Sequence, residues 1–312
     1  MSEAHRGHLA MLVFSALVAG SFALGAQAAN LLDPAALNAV RFLIAAAVIG
    51  VLGLATRAFK PGDGAAPWRY VVLGGLFSAY FFLMFEGLKT APPVSAAAVF
   101  TLTPVMAAGF GWLLLRQRLT GRMALALALG ASGALWVIFR ADVASLLAFE
   151  IGLGEAIYLV GCLAHAAYAP MVAKLNRGEH PVAFSFGTLV AGAVLLGLFG
   201  APAILAAEWS ALAPIVWITI VYTAVAASAA TFVLLQYASL RLPSAKVMAY
   251  TYLTPSWVIL WQIALVGDVP APLILVGVAL TAAALLLLLR TEEAGPSKGP
   301  KGLGGLGARP RS

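Results

Sequence analysis

Charge interrupts this chain so rarely that long apolar segments dominate it. Only 10% of its 312 residues are Asp, Glu, Lys or Arg, and 62% are hydrophobic. A soluble domain carries about 25% charged residues, and its surface needs them. A helix that crosses the hydrocarbon core of a bilayer needs about 20 mostly apolar residues. The sequence therefore excludes a soluble globular domain or a disordered chain and predicts a polytopic membrane protein.

Charges and Pro/Gly breaks divide the chain into ten stretches of suitable length, so the predicted fold class is an all-α integral membrane protein. The predicted spans are Leu9–Ala29, Pro34–Leu54, Trp68–Leu88, Pro93–Leu115, Met123–Phe139, Ile151–Leu175, Val182–Leu205, Leu212–Ala238, Ser244–Val266 and Ala271–Leu289. Residues 291–312 are rich in Gly, Pro and basic residues, and we expect a disordered basic tail there.

Lysine and arginine are concentrated on alternate connections. With a cytoplasmic N-terminus, cytoplasmic segments hold 16 of the 19 cations, outside segments hold only Lys89 and Arg140, and Arg41 lies within the second span. Such an excess is typical of cytoplasmic loops. We expect a bacterial inner (plasma) membrane protein with both termini cytoplasmic. This topology accounts for the net charge of +7, and we expect no nucleic-acid partner.

The first span has a second interpretation as a secretory signal. Arg6 precedes an apolar run that ends in the small triplet Ala26-Gln27-Ala28, which resembles a cleavage site. The charge distribution and the repeat described next both need this helix in the mature protein, so we favour its retention. N-terminal sequencing would decide between the two.

The two halves of the chain are related by a shift of 151 residues. Leu102-Thr103-Pro104 then matches Leu253-Thr254-Pro255, within an otherwise weak alignment of alanines and leucines. A half with five helices crosses the membrane an odd number of times, so the second half enters from the opposite side. This pattern predicts a 5+5 inverted repeat, an architecture of many secondary transporters. The predicted domains are residues 1–140, 141–290 and the tail 291–312.

Each Thr-Pro site lies close to the middle of its span. Pro104 cannot donate to the carbonyl of Phe100, and Pro255 cannot donate to that of Thr251, so both helices should kink. The kinks are either simple packing features or places where freed carbonyls face neighbouring helices or a hydrated cavity. Two kinks at equal depth favour the cavity. Its candidate residues at the kinks are Phe100, Thr103, Pro104, Thr251, Thr254 and Pro255.

The sequence resembles the ten-helix EamA type of the drug/metabolite transporter superfamily. The likeness rests on Arg41-Phe42, the small-residue run Ala91–Pro104, its counterpart Pro243–Pro255, and Gly267-Asp268 after the ninth span. Arg116-Gln117 departs from the Gly-Glu that the family pattern has in the first half. The resemblance implies a central cavity lined mainly by helices 1, 3, 4, 6, 8 and 9, and frequent export of amino acids, other metabolites or drugs.

Ionisable side chains deep in a membrane are functional candidates. His165 shares a helix face with Tyr158 and Tyr168, so it is either a proton-coupling or substrate-binding imidazole or a structural histidine bonded to a neighbouring helix. Glu86 is either a proton site or, as its spacing from Lys89 favours, half of an ion pair. For Arg41 we expect that the side chain snorkels to the outer surface or pairs with Asp33. Glu155 is expected near the surface.

Aromatic and amide residues provide further cavity candidates. Trp257 lies near mid-depth, where an interfacial role fits poorly, so we expect it to line an aromatic cavity together with Tyr80, Tyr168 and Gln236. Small residues form a ridge on helix 5 at Ala126, Gly130 and Ala134. Such a ridge serves packing within the chain or a homodimer interface, and packing is favoured.

We interpret the chain as a secondary transporter that exports a small organic solute by alternating access. Transport would be coupled to protons or to solute gradients. The alternatives are an integral membrane enzyme acting on lipid-linked substrates and a receptor or scaffold without transport. The longest connections carry only Asp63, Asp142 and Glu150 as acids, too few for a catalytic cluster at a membrane face. We predict no catalytic residue, metal or cofactor; the partners are a small-molecule solute and the lipid bilayer.

Overall fold

The computed structural model describes residues 3–148, 151–267 and 269–289. Within these ranges nine helices are long and apolar enough to cross a membrane. They are α1 (Glu3–Ala28), α2 (Pro34–Ala55), α3 (Trp68–Leu88), α4 (Pro93–Leu115), α5 (Gly121–Ile138), α6 (Leu153–Leu175), α7 (Pro181–Phe199), α8 (Pro214–Ser239) and α10 (Pro272–Leu289).

The ninth predicted span, α9, is broken into pieces. It consists of α9a (Ser244–Ala249), a 3₁₀ turn (Tyr250–Leu253) and α9b (Thr254–Val266). Its counterpart α4 is broken in the same place, between α4a (Pro93–Phe100) and α4b (Thr103–Leu115). The predicted kinks at the two Thr-Pro sites therefore exist as interruptions of the helices.

Some predicted boundaries are wrong. The seventh span was expected to reach Leu205, but α7 ends at Phe199 and a separate short helix follows at Ala201–Ala206. The break is at Gly200. A Cβ added to this residue would lie only 2.9 Å from the Cβ of Ala35. The predicted tail and Asp268 of the Gly-Asp motif lie outside the described residues.

Local chemistry sets where several helices begin and end. Asp33 accepts a 2.8 Å hydrogen bond from the backbone N–H of Ala35 and caps α2, whose first residue is a proline. Arg116 and Gly267 adopt left-handed backbone conformations, with φ of 54° and 70°, and end α4b and α9b. These two terminators are 151 residues apart, the offset found in the sequence.

The same offset relates whole helices. Adding 151 to the bounds of α4 gives those of α9, Ser244–Val266, and adding it to the bounds of α5 gives those of α10. The packing also follows the repeat: α3 packs on α6 as α8 packs on α1, and α4b on α6 as α9b on α1. α4a packs on α9b and α4b packs on α9a, so the first half of each broken helix contacts the second half of the other. The predicted fold class, an all-α membrane protein with two inverted five-helix repeats, is confirmed.

The helix ends form two separate sides. On one side Glu3 contacts Arg241, Arg69 contacts Glu179, and Gln117 contacts Ser244. We call this the basic side, because the connections at residues 56–67, 116–120, 176–180 and 240–243 lie on it. On the opposite side Asn30 donates to the carbonyl of Lys89, and Trp136 to that of Leu273.

The small-residue ridge of α5 packs against other helices of the same chain. Ala126 and Ala134 are fully buried. A Cβ on Gly130 would collide with the ring of Tyr252, and one on Gly133 would lie 2.6 Å from the carbonyl oxygen of Gly277 on α10. The ridge therefore lets α5 approach α9 and α10 closely and is not a free surface.

Candidate functional site

The two broken helices meet at their interruptions. Thr103 donates a 2.7 Å hydrogen bond from its hydroxyl to the carbonyl of Phe100, and the same Oγ1 lies 3.2 Å from Oγ1 of Thr251. All three residues are fully buried. The carbonyl of Phe100 was expected to turn to a neighbouring helix or to water, and this expectation is wrong, because the hydroxyl of Thr103 in the same span satisfies it. The contact between Thr103 and Thr251 joins the repeats at the centre of the bundle.

A group of aromatic side chains surrounds this junction. Tyr80 stacks on Phe100 at 5.8 Å between ring centroids, and the hydroxyl of Tyr158 donates to that of Tyr80 at 3.0 Å. Phe77 lies 4.0 Å from Tyr168 and 4.2 Å from Phe232, also between centroids. We call the following set the central cluster: Phe77, Tyr80, Phe81, Phe100, Tyr158, His165, Tyr168 and Phe232.

His165 lies inside the central cluster, so the sequence placed it correctly on the inward face of α6. Its ring centroid is 4.5 Å from that of Tyr80, 4.9 Å from that of Phe100 and 5.4 Å from that of Phe77. Its Nδ1 is buried and has no hydrogen-bond partner among the described residues. An imidazole with a free polar atom in an aromatic environment is poorly explained as a structural histidine, because buried polar atoms are normally paired.

Gln236 and Tyr168 form a polar pair beside these rings. Nε2 of Gln236 donates to the hydroxyl of Tyr168 at 3.0 Å. The other amide atom of Gln236, Oε1, is buried and accepts no hydrogen bond from the described residues. This pair joins α8 to α6 and leaves an acceptor available for a donor that the protein does not supply.

Arg41 is fully buried on α2, seven residues from the helix start, or about 10 Å along its axis. Its Nε donates to the hydroxyl of Ser228 at 2.7 Å, one terminal nitrogen donates to the carbonyl of Ala227 at 3.0 Å, and the other makes a long contact of 3.4 Å with Oδ1 of Asn38. The guanidinium carbon lies 3.6 Å from the centroid of the Phe81 ring, a cation–π geometry.

The expectation for Arg41 is therefore wrong, because its side chain turns inward instead of reaching the surface. Asp33 caps α2 and does not pair with it. No salt bridge among the described residues includes Arg41. The rule that ionisable groups inside a membrane mark functional sites was the signal that could have found it.

The π-helical segment of α8, Val225–Ala230, supplies the main partners of Arg41. In a π-turn the backbone is wider than in an α-helix, and such turns are frequent at functional sites. Ala227 and Ser228 both lie in this segment, so the irregular backbone and the buried cation occur at one place. Nothing in the sequence pattern indicated this segment.

Other predicted site residues lie at the edge of the cluster or beyond it. Trp257 is half-buried and donates from Nε1 to the hydroxyl of Ser15 on α1 at 3.3 Å. Glu86 forms a 2.8 Å salt bridge with Lys89, and about a quarter of the Glu86 side chain is exposed. Thr254 is fully buried and its hydroxyl has no partner among the described residues. Pro104 and Pro255 are buried at the two helix breaks.

Glu155 lies in the first turn of α6, close to the helix end as expected, but its side chain is buried and only 4% of it is exposed. Its Oε1 accepts a 2.7 Å hydrogen bond from Ser95 on α4a. The contact ties α6 to the first half of a broken helix on the side opposite the basic side.

Helix contacts seal the cluster from both sides. On the basic side α4b packs on α9a, and on the other side α4a packs on α9b. Tyr80, Tyr168 and His165 are each at most 1% exposed. An open cavity of about 490 Å³ lies elsewhere, at the ends of the helices beside Asp33 and Glu208. The arrangement is thus closed around a polar and aromatic centre at the interface between repeats.

Comparison with known proteins identifies the family. The chain matches the EamA-like transporter family twice, over residues 5–139 and 152–290. It belongs to the EamA-like transporter family. The two EamA-like matches begin and end close to the two five-helix repeats, as the resemblance to the drug/metabolite transporter superfamily implied.

Two individual similarities extend this result. The uncharacterized transporter YyaM of Bacillus subtilis (strain 168) is 27% identical over 192 residues, which cover 61% of this chain and 63% of that protein. The chain thus matches less than two thirds of that relative's length. One solved crystal structure of a protein has 22% sequence identity to this chain and a TM-score of 0.69. The superposition covers 92% of this chain and 97% of the other, which shows a shared fold. The names of the EamA-like family and of YyaM point to a transporter and not to an enzyme.

Proposed function

We propose that the protein is a secondary transporter that exports a small organic solute across the bacterial inner membrane, with both termini cytoplasmic. The observation that carries the proposal is the junction of the two broken helices at Thr103 and Thr251. It lies in the centre of an EamA-like inverted repeat, against a cluster with unpaired polar atoms. Transporters with inverted repeats bind solute at this location, where helices are discontinuous.

The proposed mechanism is alternating access by the broken helices. Because α4b packs on α9a at the basic side and α4a packs on α9b at the other, separating one pair opens one side while the other pair keeps the opposite side closed. His165 is the proposed proton-coupling group, since it is buried at the centre with Nδ1 free. Glu86 is a weaker candidate for that role, because Lys89 already pairs with it.

A disulfide on the basic side tests this mechanism. A Cβ on Gly111 would lie 3.6 Å from the Cβ of Ser244, within the usual range for a disulfide of about 3.5–4.5 Å. The side chain of Gln117, which now contacts both positions, is flexible enough to move aside. The experiment uses the double variant G111C/S244C in a C162A background, because Cys162 is the one cysteine of the chain.

Transport is measured as solute counterflow in proteoliposomes with a panel of amino acids, organic acids and cationic drugs. Oxidation of the double variant should stop flux, and reduction should restore it, whereas each single-cysteine variant should be unaffected by either treatment. Undiminished flux after verified disulfide formation would contradict alternating access at this gate. Absence of counterflow for the whole panel in the wild-type protein would favour a receptor or scaffold.

Proton coupling is tested in the same vesicles with an imposed pH gradient. His165→Ala should lose the dependence of flux on that gradient, which is measured between about pH 5.5 and 8. Glu86→Gln tests the weaker candidate and should retain the dependence, because Glu86 is already paired with Lys89. Equal pH profiles for H165A and the wild type would remove His165 from the coupling mechanism.

A further inference from the structure

We propose that Arg41 is an anion-binding residue, and that the solute carries a carboxylate attached to an apolar or aromatic group. This inference rests on the proposed transport function and names the substrate class of its central site. It is carried by the partners of Arg41, by the unpaired polar atoms near it and by the rings between them.

The charge of Arg41 lacks a counter-charge. A buried cation loses several kcal/mol of hydration, which a protein normally offsets with an opposite charge. The partners of Arg41 are a hydroxyl, a backbone carbonyl and an amide oxygen at 3.4 Å, and all three are neutral. No carboxylate among the described residues forms a salt bridge with it. A carboxylate from outside the protein would supply the missing negative charge.

The guanidinium also has donors to spare. It carries five N–H groups, and the described residues accept three hydrogen bonds from it, one of them long at 3.4 Å. Arginine binds carboxylates through two parallel N–H groups. Two N–H groups remain for such a bond, so a carboxylate can be bound while the bond to Ala227 in the π-helical segment is kept.

The surroundings of Arg41 indicate the rest of the solute. Its guanidinium stacks on Phe81, which belongs to the central cluster. Phe81 in turn lies 5.4 Å from Phe77 and 4.6 Å from Tyr80, between ring centroids. The same rings surround the free Nδ1 of His165. A solute with its carboxylate on Arg41 would place an apolar or aromatic group among these rings, close to unpaired polar atoms of the protein.

A structural role for Arg41 makes a different prediction. If the residue served only to tie α2 to α8 through Ala227 and Ser228, its loss would weaken binding of charged and neutral solutes equally. An anion-binding role predicts a loss confined to the carboxylates. Matched pairs of acids and amides therefore separate the two roles.

The probes are 3-phenylpropionate, indole-3-propionate and hexanoate, each paired with its neutral amide. Dissociation constants are measured by calorimetry on the purified full-length protein in detergent. In the wild type we expect at least one acid to bind about 10- to 100-fold more tightly than its amide, as for a hydrogen bond to a charged group. In R41Q this ratio should fall to about one, whereas R57Q, which changes an exposed arginine at the end of α2, should keep it.

A second variant keeps the test valid if R41Q does not fold. S228A removes the acceptor that occupies Nε of Arg41, so the freed donor should raise acid affinity a few-fold and leave amide affinity unchanged. Equal binding of acids and amides by the wild type, an acid preference that persists in R41Q, or no binding of any acid would overturn the proposal. So would a fall in acid affinity in S228A.

The same probes distinguish this inference from the transport function. Acid binding that depends on Arg41 without counterflow in proteoliposomes would leave the anion site standing and overturn the transporter. Counterflow of acids and amides alike, unchanged in R41Q, would confirm transport and overturn the anion site.

Discussion

Two buried arginines of the first repeat, Arg69 and Arg41, have opposite environments. Arg69, at the start of α3, forms a 2.6 Å salt bridge with Glu179 in the α6–α7 connection. Its terminal nitrogens also donate to the carbonyls of Leu175 and Ala65, at 2.7 and 2.8 Å. Arg41 lies in the interior of the bundle, and its partners among the described residues are all neutral. Burial by itself therefore does not show what a cation in this fold does; the charge of its partners decides.

The difference separates a structural cation from a functional one. Arg69 joins the α2–α3 and α6–α7 connections, one from each repeat, with its charge balanced on the basic side. Arg41 joins α2 to α8 with its charge unbalanced next to the central cluster. We expect loss of Arg69 to reduce stability and loss of Arg41 to reduce recognition of the solute. The following predictions test this distinction, in decreasing order of expected effect.

The largest effect is expected from breaking the Arg69–Glu179 bridge. Arg69→Met leaves the carboxylate of Glu179 buried without a cation, which costs about 3–5 kcal/mol of unfolding free energy. Thermal unfolding of the purified protein in detergent measures it. The double variant R69M/E179M should recover much of the loss, because both charges are then absent. A stability of R69M close to that of the wild type would show that the bridge has no structural role.

The pH dependence of stability should report the same bridge with a smaller effect. Burial acts to raise the pKa of Glu179, but hydrogen bonds from Arg69 and from backbone N–H groups outweigh it and hold this pKa below its ordinary value of 4.5. A carboxyl whose pKa is lowered in the folded state stabilises fully above the unfolded value and less as pH falls through the folded value. Unfolding temperature should therefore drop below about pH 4.5, and Glu179→Gln should lose the part of the drop due to this group.

Arg41→Met should have a smaller effect on stability than Arg69→Met. The variant removes hydrogen bonds to three neutral groups, but it also removes a charge that the fold desolvates without a counter-charge. We expect a net loss of about 1 kcal/mol. The same thermal measurement decides, and a loss as large as that of R69M would make Arg41 structural and remove the contrast between the two arginines.

The smallest effect is expected for the ion pair outside the core. Lys89 and Glu86 form a 2.8 Å salt bridge, but about a third of the lysine side chain and a quarter of the glutamate are exposed. Lys89→Met should cost less than about 1 kcal/mol, as is usual for exposed pairs. A cost comparable to that of R69M would mean that burial does not control the strength of these pairs.

The sequence predicted the fold well because hydropathy and the repeat leave few alternatives. Lengths of apolar stretches located the spans, and the match of the two Leu-Thr-Pro motifs located both helix breaks. The boundary at Phe199 was missed because the stretch from 182 to 205 contains no charged residue, so hydropathy does not mark the end of the helix.

The central site was predictable where it depends on helix faces. His165, Tyr158 and Tyr168 share one face of α6, and that face is buried against the bundle. The direction of the Arg41 side chain was not predictable, because it depends on acceptors 186 and 187 residues away along the chain, at Ala227 and Ser228. Trp257 was chosen by its depth, and its hydrogen bond to Ser15 on α1 was not predictable, since depth does not specify which neighbour a side chain meets.

The π-helical segment of α8 has a consequence for the phase of that helix. A turn with more residues than an α-turn changes the angular position of every side chain that follows, here including Gln236. Deleting one residue from Val225–Ala230 would restore α-helical winding and rotate the end of α8 relative to α2. The number of residues in this segment, and not only their small size, therefore keeps both Ser228 and Gln236 directed to the interior.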